Sequence, residues 1–192
     1  QPLIVFQEAT DTAGRDLCVI RQDDRGGGRL LADHLLARRA SRFLLIAPRQ
    51  GWPAIEQRIA GFREGLAPEP AATVEIIESE SESFGDVQAA VAAYLADNPV
   101  PDAVVGTNDA IATAAMLHLI DRGCSVPDDV RVVGFNAFQA HRYAQPRLTT
   151  VQSAPYELGQ LAGQAMLQRL STGRFETSQY LLPVAFAPGQ TT

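Results

Sequence analysis

The chain has 192 residues, of which 46% are hydrophobic and 20% charged, with a formal net charge of −6. These values predict a folded globular protein of one to two domains, and the acidic balance gives no electrostatic footprint for nucleic acid. The 16 Lys and Arg residues are all arginines, which excludes P-loop and Schiff-base chemistry because both require a lysine. No apolar run reaches the length of a membrane span. Cys18 and Cys124 form no C-x-x-C pair, as expected for reduced thiols in a cytoplasmic protein.

Short β-branched runs alternate with longer stretches of helical periodicity. Strands are predicted at Pro2–Gln7, Asp16–Gln22, Arg42–Ala47, Ala72–Ser79, Asp102–Asn108, Asp129–Asn136, Leu148–Gln152 and Tyr180–Phe186. Helices are predicted after the Gly26–Gly28 run and at Trp52–Leu66, Phe84–Ala96, Ala110–Asp121 and Pro155–Ser171. Continuous apolar strands are typical of parallel sheets that are buried on both faces. The alternation therefore predicts an α/β fold of doubly wound parallel sheets, with helices on both faces.

Polar side chains stand at the carboxyl ends of the predicted strands. Ligands of open α/β sheets bind beyond those ends, so the candidate binding residues are Gln7, Asp23, Asn108, Asn136 and Ser153. A further candidate is Arg58, because it lies near the start of a helix that follows a strand. Its guanidinium fork suits ligand hydroxyls or a carboxylate.

Three of these segments also have structural explanations. The pair Asp23–Asp24 either binds a cation or a ligand hydroxyl, or is an acidic pair favoured by the dipole of the next helix. In Asn108–Asp109, one residue is expected to cap the following helix and the other to contact ligand. The Gly26–Gly28 run lacks the G-x-G-x-x-G order of a dinucleotide site. Close packing of a helix is therefore favoured there over anion binding.

No arrangement of residues predicts catalysis. The sequence has no G-x-S-x-G elbow, and His34, His118 and His141 have no second ligand at metal-binding spacing. We therefore expect no catalytic residue, no metal and no cofactor, and an α/β enzyme is the weakest of the functional hypotheses.

Two neighbouring segments, VPDDVRVVGFN (Val126–Asn136) and RYAQPRLTTVQ (Arg142–Gln152), resemble the effector-binding domain of LacI/GalR-type transcriptional regulators. Further matching segments follow the same order at Asp23–Leu35, Arg58–Leu66, Pro101–Met116, Glu157–Leu170 and Leu181–Phe186. The resemblance covers nearly the whole chain. Single segments are weakly specific, but seven in register are specific.

The resemblance implies a two-lobed, periplasmic-binding-protein-like (type I) core with one lobe partial. Residues 1–22 and 150–173 would form the partial N-terminal lobe, and residues 23–149 and 174–192 the C-terminal lobe. The helix-turn-helix, the hinge helix and the first part of the N-terminal lobe are absent from this chain. Since the first residue is Gln1 rather than Met, we expect the chain to be a processed product or a piece of a longer protein.

The resemblance also implies site residues. Arg58 matches the effector-binding arginine of the family and Asn108 its cleft asparagine. Gln7 and Asn136 stand where many sugar-responsive members have aspartates, and Ser153 stands where they have a glutamine. With fewer acids around the arginine, the cleft is expected to accept anionic ligands better than a typical sugar cleft does.

Two other positions depart from the family. No aromatic residue stands at Glu80–Glu82, near the place of a ring that often stacks on the ligand. Gly189 occupies the place of a usual arginine.

These features favour a ligand-responsive transcriptional regulator of the LacI type, in which this chain senses the effector. The effector would be a sugar or a sugar-derived molecule, anionic ones included, and operator DNA would be bound only through the absent N-terminal domain. A homodimer is expected through Ile111, Ala115 and Tyr143. The alternative is a periplasmic solute-binding protein of the same fold. The sequence does not name the effector, the operator or the sign of regulation.

Overall fold

A computed structural model describes residues 1–7, 16–138 and 145–192. His141 and Tyr143 lie outside these residues. The helices are α1 (Asp24–Leu36), α2 (Pro53–Leu66), α3 (Phe84–Asp97), α4 (Asp109–Asp121) and α5 (Pro155–Thr172). The strands are β1 (Leu3–Phe6), β2 (Leu17–Gln22), β3 (Arg42–Pro48), β4 (Thr73–Ser79), β5 (Ala103–Gly106), β6 (Arg131–Asn136), β7 (Thr149–Gln152), β8 (Gln179–Leu182) and β9 (Ala185–Ala187). The predicted α/β fold is confirmed.

The larger sheet has six strands in the order β4-β3-β5-β6-β7-β9. The first five are parallel, and β9 joins β7 in the antiparallel direction. Side chains of β3 alternate between the two faces: Phe43 and Leu45 pack in the core under α1 and α2, whereas Leu44 and Ile46 pack in the core under α3 and α4. Helices on both faces make this a doubly wound sheet.

The smaller sheet has three parallel strands in the order β1-β2-β8. Helix α5 packs on it, with Leu158 and Ala165 against Cys18 and Ile20 of β2. The chain passes from the small sheet to the large one after β2, returns after β7, and crosses again between β8 and β9. The described residues therefore form two α/β units joined by crossovers.

The strand pairings differ from the predicted lobe boundaries at two points. Strand β7 belongs to the large sheet, where Val151 is fully buried, so the return crossover begins at Ser153 rather than at residue 150. The predicted strand Tyr180–Phe186 is two strands, one in each sheet. The break falls at Pro183, which has no N–H to donate to a ladder.

Helices α1 and α2 pack closely because glycines line their contact. A Cβ on Gly28 would overlap the carbonyl oxygen of Arg58, and a Cβ on Gly61 would overlap that of Arg25. A Cβ on Gly27 would lie 2.5 Å from the Phe135 ring. The packing interpretation of the glycine run is therefore confirmed, and the same contact brings the N-terminal end of α1 beside Arg58.

The predicted dimer contacts on α4 are wrong for two residues. Ile111 and Ala115 are 0% exposed and belong to the core between α4 and the large sheet, so they offer no surface to a second subunit. The third, Tyr143, lies outside the described residues. Among the described helices, none combines the length and apolar character that a membrane crossing requires.

Candidate functional site

A cavity of about 390 Å³ lies where the carboxyl ends of strands from both sheets meet. This is the expected location for a ligand in a parallel α/β fold. Its walls come from β1, from the start of α2, from the loop before α3 and from the ends of β5 and β6. The lining residues are Phe6, Gln7, Trp52, Pro53, Ala54, Ile55, Arg58, Glu82, Asn108 and Asn136.

The guanidinium of Arg58 is held by three separate acceptors. Its Nε donates to Asp24 Oδ1 at 2.8 Å, its Nη1 to the Thr107 carbonyl at 2.7 Å, and its Nη2 to Asn136 Oδ1 at 3.2 Å. The group also lies 3.9 Å above the Phe135 ring, a cation–π contact. With its side chain 11% exposed, Arg58 is a fixed donor at the cavity wall.

Asp24 is the counter-ion of Arg58 and is itself buried, with 5% of its side chain exposed. Its Oδ1 also accepts from Gln22 Nε2 at 2.9 Å. The backbone N–H of Gln22 donates to Gln7 Oε1, also at 2.9 Å. A continuous polar chain therefore joins the end of β1 to the arginine through the first crossover between the sheets.

On the other side of Arg58, Asn136 ends β6 with a positive φ of 112°. Its Oδ1 accepts from Ser153 Oγ at 3.2 Å as well as from Arg58. Ser153 is buried and does not line the cavity. It therefore supports Asn136 from behind, at the second crossover between the sheets.

The two residues of the Asn108–Asp109 segment have different roles. Asn108 caps α4 by accepting from the Ile111 N–H at 2.9 Å, and it also lines the cavity. Its neighbour Asp109 accepts from the Thr150 hydroxyl at 2.6 Å and from the Ala137 N–H at 2.7 Å. The cap, rather than its acidic neighbour, is thus the residue at the cavity.

Asp23 does not join the other candidates. Its carboxylate caps α1 by accepting from the Gly26 N–H at 2.8 Å. It lines an adjoining cavity of about 320 Å³ instead. Of the acidic pair, Asp24 is the residue that reaches the arginine.

Sequence reasoning missed the aromatic walls. Trp52 is 50% exposed and Phe6 is 45% exposed, and both line the cavity. Trp52 follows the carboxyl end of β3 and precedes Pro53, the first residue of α2. The sequence signal that could have identified this wall is a lone tryptophan between a buried strand and a helix. Glu82 lines the cavity as well; the resemblance had placed its segment near the ligand, but its carboxylate was not among the predicted site residues.

The described residues show no group of His, Cys, Asp and Glu that could hold a metal ion. The geometry offers amide and guanidinium donors, amide acceptors and two exposed rings. Such a set binds and orients a polar ligand.

Comparison with known proteins identifies the family of this chain. The sequence profile of the periplasmic binding protein-like domain matches residues 32–192. The chain is 26% identical over 174 residues to the ribose operon repressor of Halalkalibacterium halodurans, covering 91% of this chain and 52% of that protein. It is 28% identical over 178 residues to the repressor PurR of Vibrio cholerae, again covering 91% and 52%. The chain therefore spans about half the length of these curated relatives.

Solved structures show the same fold. A LacI family transcriptional regulator from Enterococcus faecium with bound ribose superposes with a TM-score of 0.89 at 26% identity, covering 100% of this chain and 70% of that one. A second such regulator, from Enterococcus faecalis with bound ribose, gives 0.87 at 26% identity, covering 100% and 68%. The profile match shows that the chain belongs to the family of periplasmic binding protein-like domains, and these relatives show that it is similar to regulators of the LacI family.

Proposed function

We propose that this chain is the effector-sensing part of a transcriptional repressor and that it binds a monosaccharide in the cavity around Arg58. The observation that carries the proposal is the arginine itself. It is fixed by three acceptors at the junction of two α/β units, in a fold shared with regulators that hold ribose.

The cavity chemistry suits a sugar. A sugar ring presents hydroxyls at its edge and C–H groups on its faces. The remaining N–H donors of Arg58 and the amides of Gln7 and Asn108 match the hydroxyls. The exposed rings of Trp52 and Phe6 match the apolar faces.

The three-dimensional arrangement also connects the cavity to the crossovers between the sheets. Gln22 and Ser153 lie at two crossovers, and each is bonded to a residue that contacts Arg58. A ligand that binds one relative orientation of the two units more tightly would shift their equilibrium. This shift would change the affinity for operator DNA, which would be bound in the cytoplasm by a module outside this chain.

Binding is tested by titrating D-ribose into the purified protein in a calorimeter, with Trp52 fluorescence as a second signal. Trp52 is the single tryptophan of this chain and lies in the cavity wall, so a ligand there changes its emission. We expect saturable binding of D-ribose or of another neutral monosaccharide, and loss of it in Arg58→Lys, which keeps the charge but not the planar fork. Failure of every sugar tested to bind would refute the proposal.

The same proposal includes a homodimer, because repressors of this type read paired half-sites on DNA. With Ile111 and Ala115 buried, we choose Ile120 as the contact to test, because it is the exposed large hydrophobic residue of α4. Sedimentation of the purified protein is expected to show a dimer, and Ile120→Glu to weaken it. A monomer at high concentration would contradict this part.

A further inference from the structure

We infer that Glu82 sets the charge preference of the cavity, so that it rejects anionic ligands and admits uncharged sugars and protonated amino sugars. The inference rests on the proposed sugar-binding function and deepens it. It reverses the expectation that a cleft with Arg58 and fewer acids would accept anions.

The charge of Arg58 is already compensated. Its Nε donates to Asp24 Oδ1 at 2.8 Å, and both side chains are largely shielded from solvent. A buried carboxylate so close to the guanidinium cancels most of its field. An incoming anion would therefore meet an ion pair rather than a free cation.

Glu82 is exposed and places a carboxylate on the same cavity. Arg58 and Glu82 are the charged residues among those that line it. No ion pair or hydrogen bond of Glu82 is found among residues 1–7, 16–138 and 145–192. Its charge is therefore left uncompensated by its neighbours.

The loop that carries Glu82 is held in place on both sides of this residue. Ser81 Oγ donates to Asp86 Oδ2 at 2.5 Å and accepts from the Ser83 N–H at 3.0 Å. Ser83 in turn caps α3 by accepting from the Asp86 N–H at 3.3 Å. Glu82 stands between these two anchored serines, so its backbone is held beside the cavity that its side chain lines.

The start of α2 supplies the opposing contribution. Pro53 and Ala54 begin this helix at the cavity, and no side chain caps it. A helix N-terminus carries roughly half a positive charge, which attracts the oxygens of a sugar. Glu82 outweighs that partial charge, so the cavity as a whole is neutral to weakly negative. Removing the carboxylate would make it positive and open it to anions.

The test uses matched ligands that differ in charge: D-glucose with D-glucuronate and D-glucosamine, and D-ribose with D-ribonate. Each is titrated calorimetrically into the wild-type protein, Glu82→Gln and Glu80→Gln. Glu80 is the matched control, since it is exposed, two positions away and paired with Arg49 outside the cavity lining. We expect the wild type to bind the neutral member of each pair more tightly than the acid. In Glu82→Gln the ratio of the affinity for the neutral sugar to that for the acid should fall by about fivefold. In Glu80→Gln this ratio should stay as in the wild type.

Ionic strength gives an independent check. The preference for the neutral ligand over the acid should shrink from low salt to 1 M salt, because the Debye length falls to about 3 Å there. An acid that binds the wild type as tightly as its neutral partner overturns the inference. So does an unchanged preference in Glu82→Gln. Absence of binding by every sugar in the panel instead overturns the proposed function, and the charge inference falls with it.

Discussion

Asp24 and Arg58 are 34 positions apart in sequence, yet the carboxylate Oδ1 lies 2.8 Å from the guanidinium Nε at the wall of the cavity. Neither helix places this pair alone. The glycines between α1 and α2 bring the two backbones close enough for it to form. The candidate site therefore depends on helix packing behind it.

Arg58→Ala is expected to lower stability as well as ligand binding. The buried Asp24 carboxylate would lose its charged partner and keep only its hydrogen bond from Gln22. Removing one member of a buried ion pair costs about 3 kcal/mol of stability. Urea unfolding of Arg58→Ala, Asp24→Asn and the double variant measures this. The double variant should be more stable than the sum of the single effects predicts. Strict additivity would show that the two groups are not coupled.

Trp52→Ala is expected to weaken sugar binding by about fivefold, because a stacking surface of about 1 kcal/mol is lost. Trp52→Phe should retain most of the affinity. The control is Phe84→Ala, since Phe84 is equally exposed at the start of α3 but does not line the cavity. Calorimetric titration decides the matter. If Phe84→Ala reduces affinity as much as Trp52→Ala does, the assigned wall is wrong.

Gly61→Ala is expected to destabilise the protein by about 2 kcal/mol, because the new Cβ meets the backbone of Arg25 and forces α1 from α2. Gly85→Ala is the matched control on α3, where a Cβ meets open space. It should be neutral or stabilise by about 0.5 kcal/mol through helix propensity. Thermal unfolding of the two variants compares them, and similar midpoints would contradict the close approach of α1 and α2.

The pH dependence of stability should show a window that belongs to His34. Burial, followed by the charge of Arg38, lowers the pKa of His34 from 6.5 to about 4. Its ring lies 4.3 Å from that of Phe186. The folded state disfavours the protonated ring. The contribution of His34 to the free energy of unfolding is therefore fully present above pH 6.5 and is lost as the pH falls toward 4.

Glu64 is expected to affect stability in a lower pH range than His34 does. Hydrogen bonds from Arg25 and then Arg29 lower the pKa of Glu64 from 4.5 to about 2, so its contribution is lost only as the pH falls from 4.5 toward 2. Urea unfolding across pH is the measurement. His34→Gln should reduce the loss of stability between pH 6.5 and 4. Glu64→Gln should reduce the loss between pH 4.5 and 2. An upper window that persists in His34→Gln would assign it to another group.

Much of the fold was predictable from local patterns. Apolar runs such as Arg42–Pro48 and the helical stripe of Pro53–Leu66 report burial by their own periodicity. Position at strand ends nominated Gln7, Asn108 and Asn136, and the structure brings these three to one cavity with Arg58. Asn108 and Asn136 could be found because the carboxyl ends of parallel strands in one sheet share an edge. Gln7 follows a strand of the other sheet, so only the meeting of the two sheets brings it to the same cavity.

The sequence by itself thus determined the α/β alternation, the resemblance to the family and Arg58 as a candidate site residue, since each depends on short-range order or on segments in register. Only the tertiary structure decided that Asp24 rather than Asp23 meets Arg58, that Ile111 faces the core, and that β8 belongs to the small sheet. It also brought Trp52 and Glu82 to the cavity wall. These outcomes depend on how distant segments rotate and pack against one another. A one-residue difference in helical phase or a proline in a strand changes the partner without changing the local pattern.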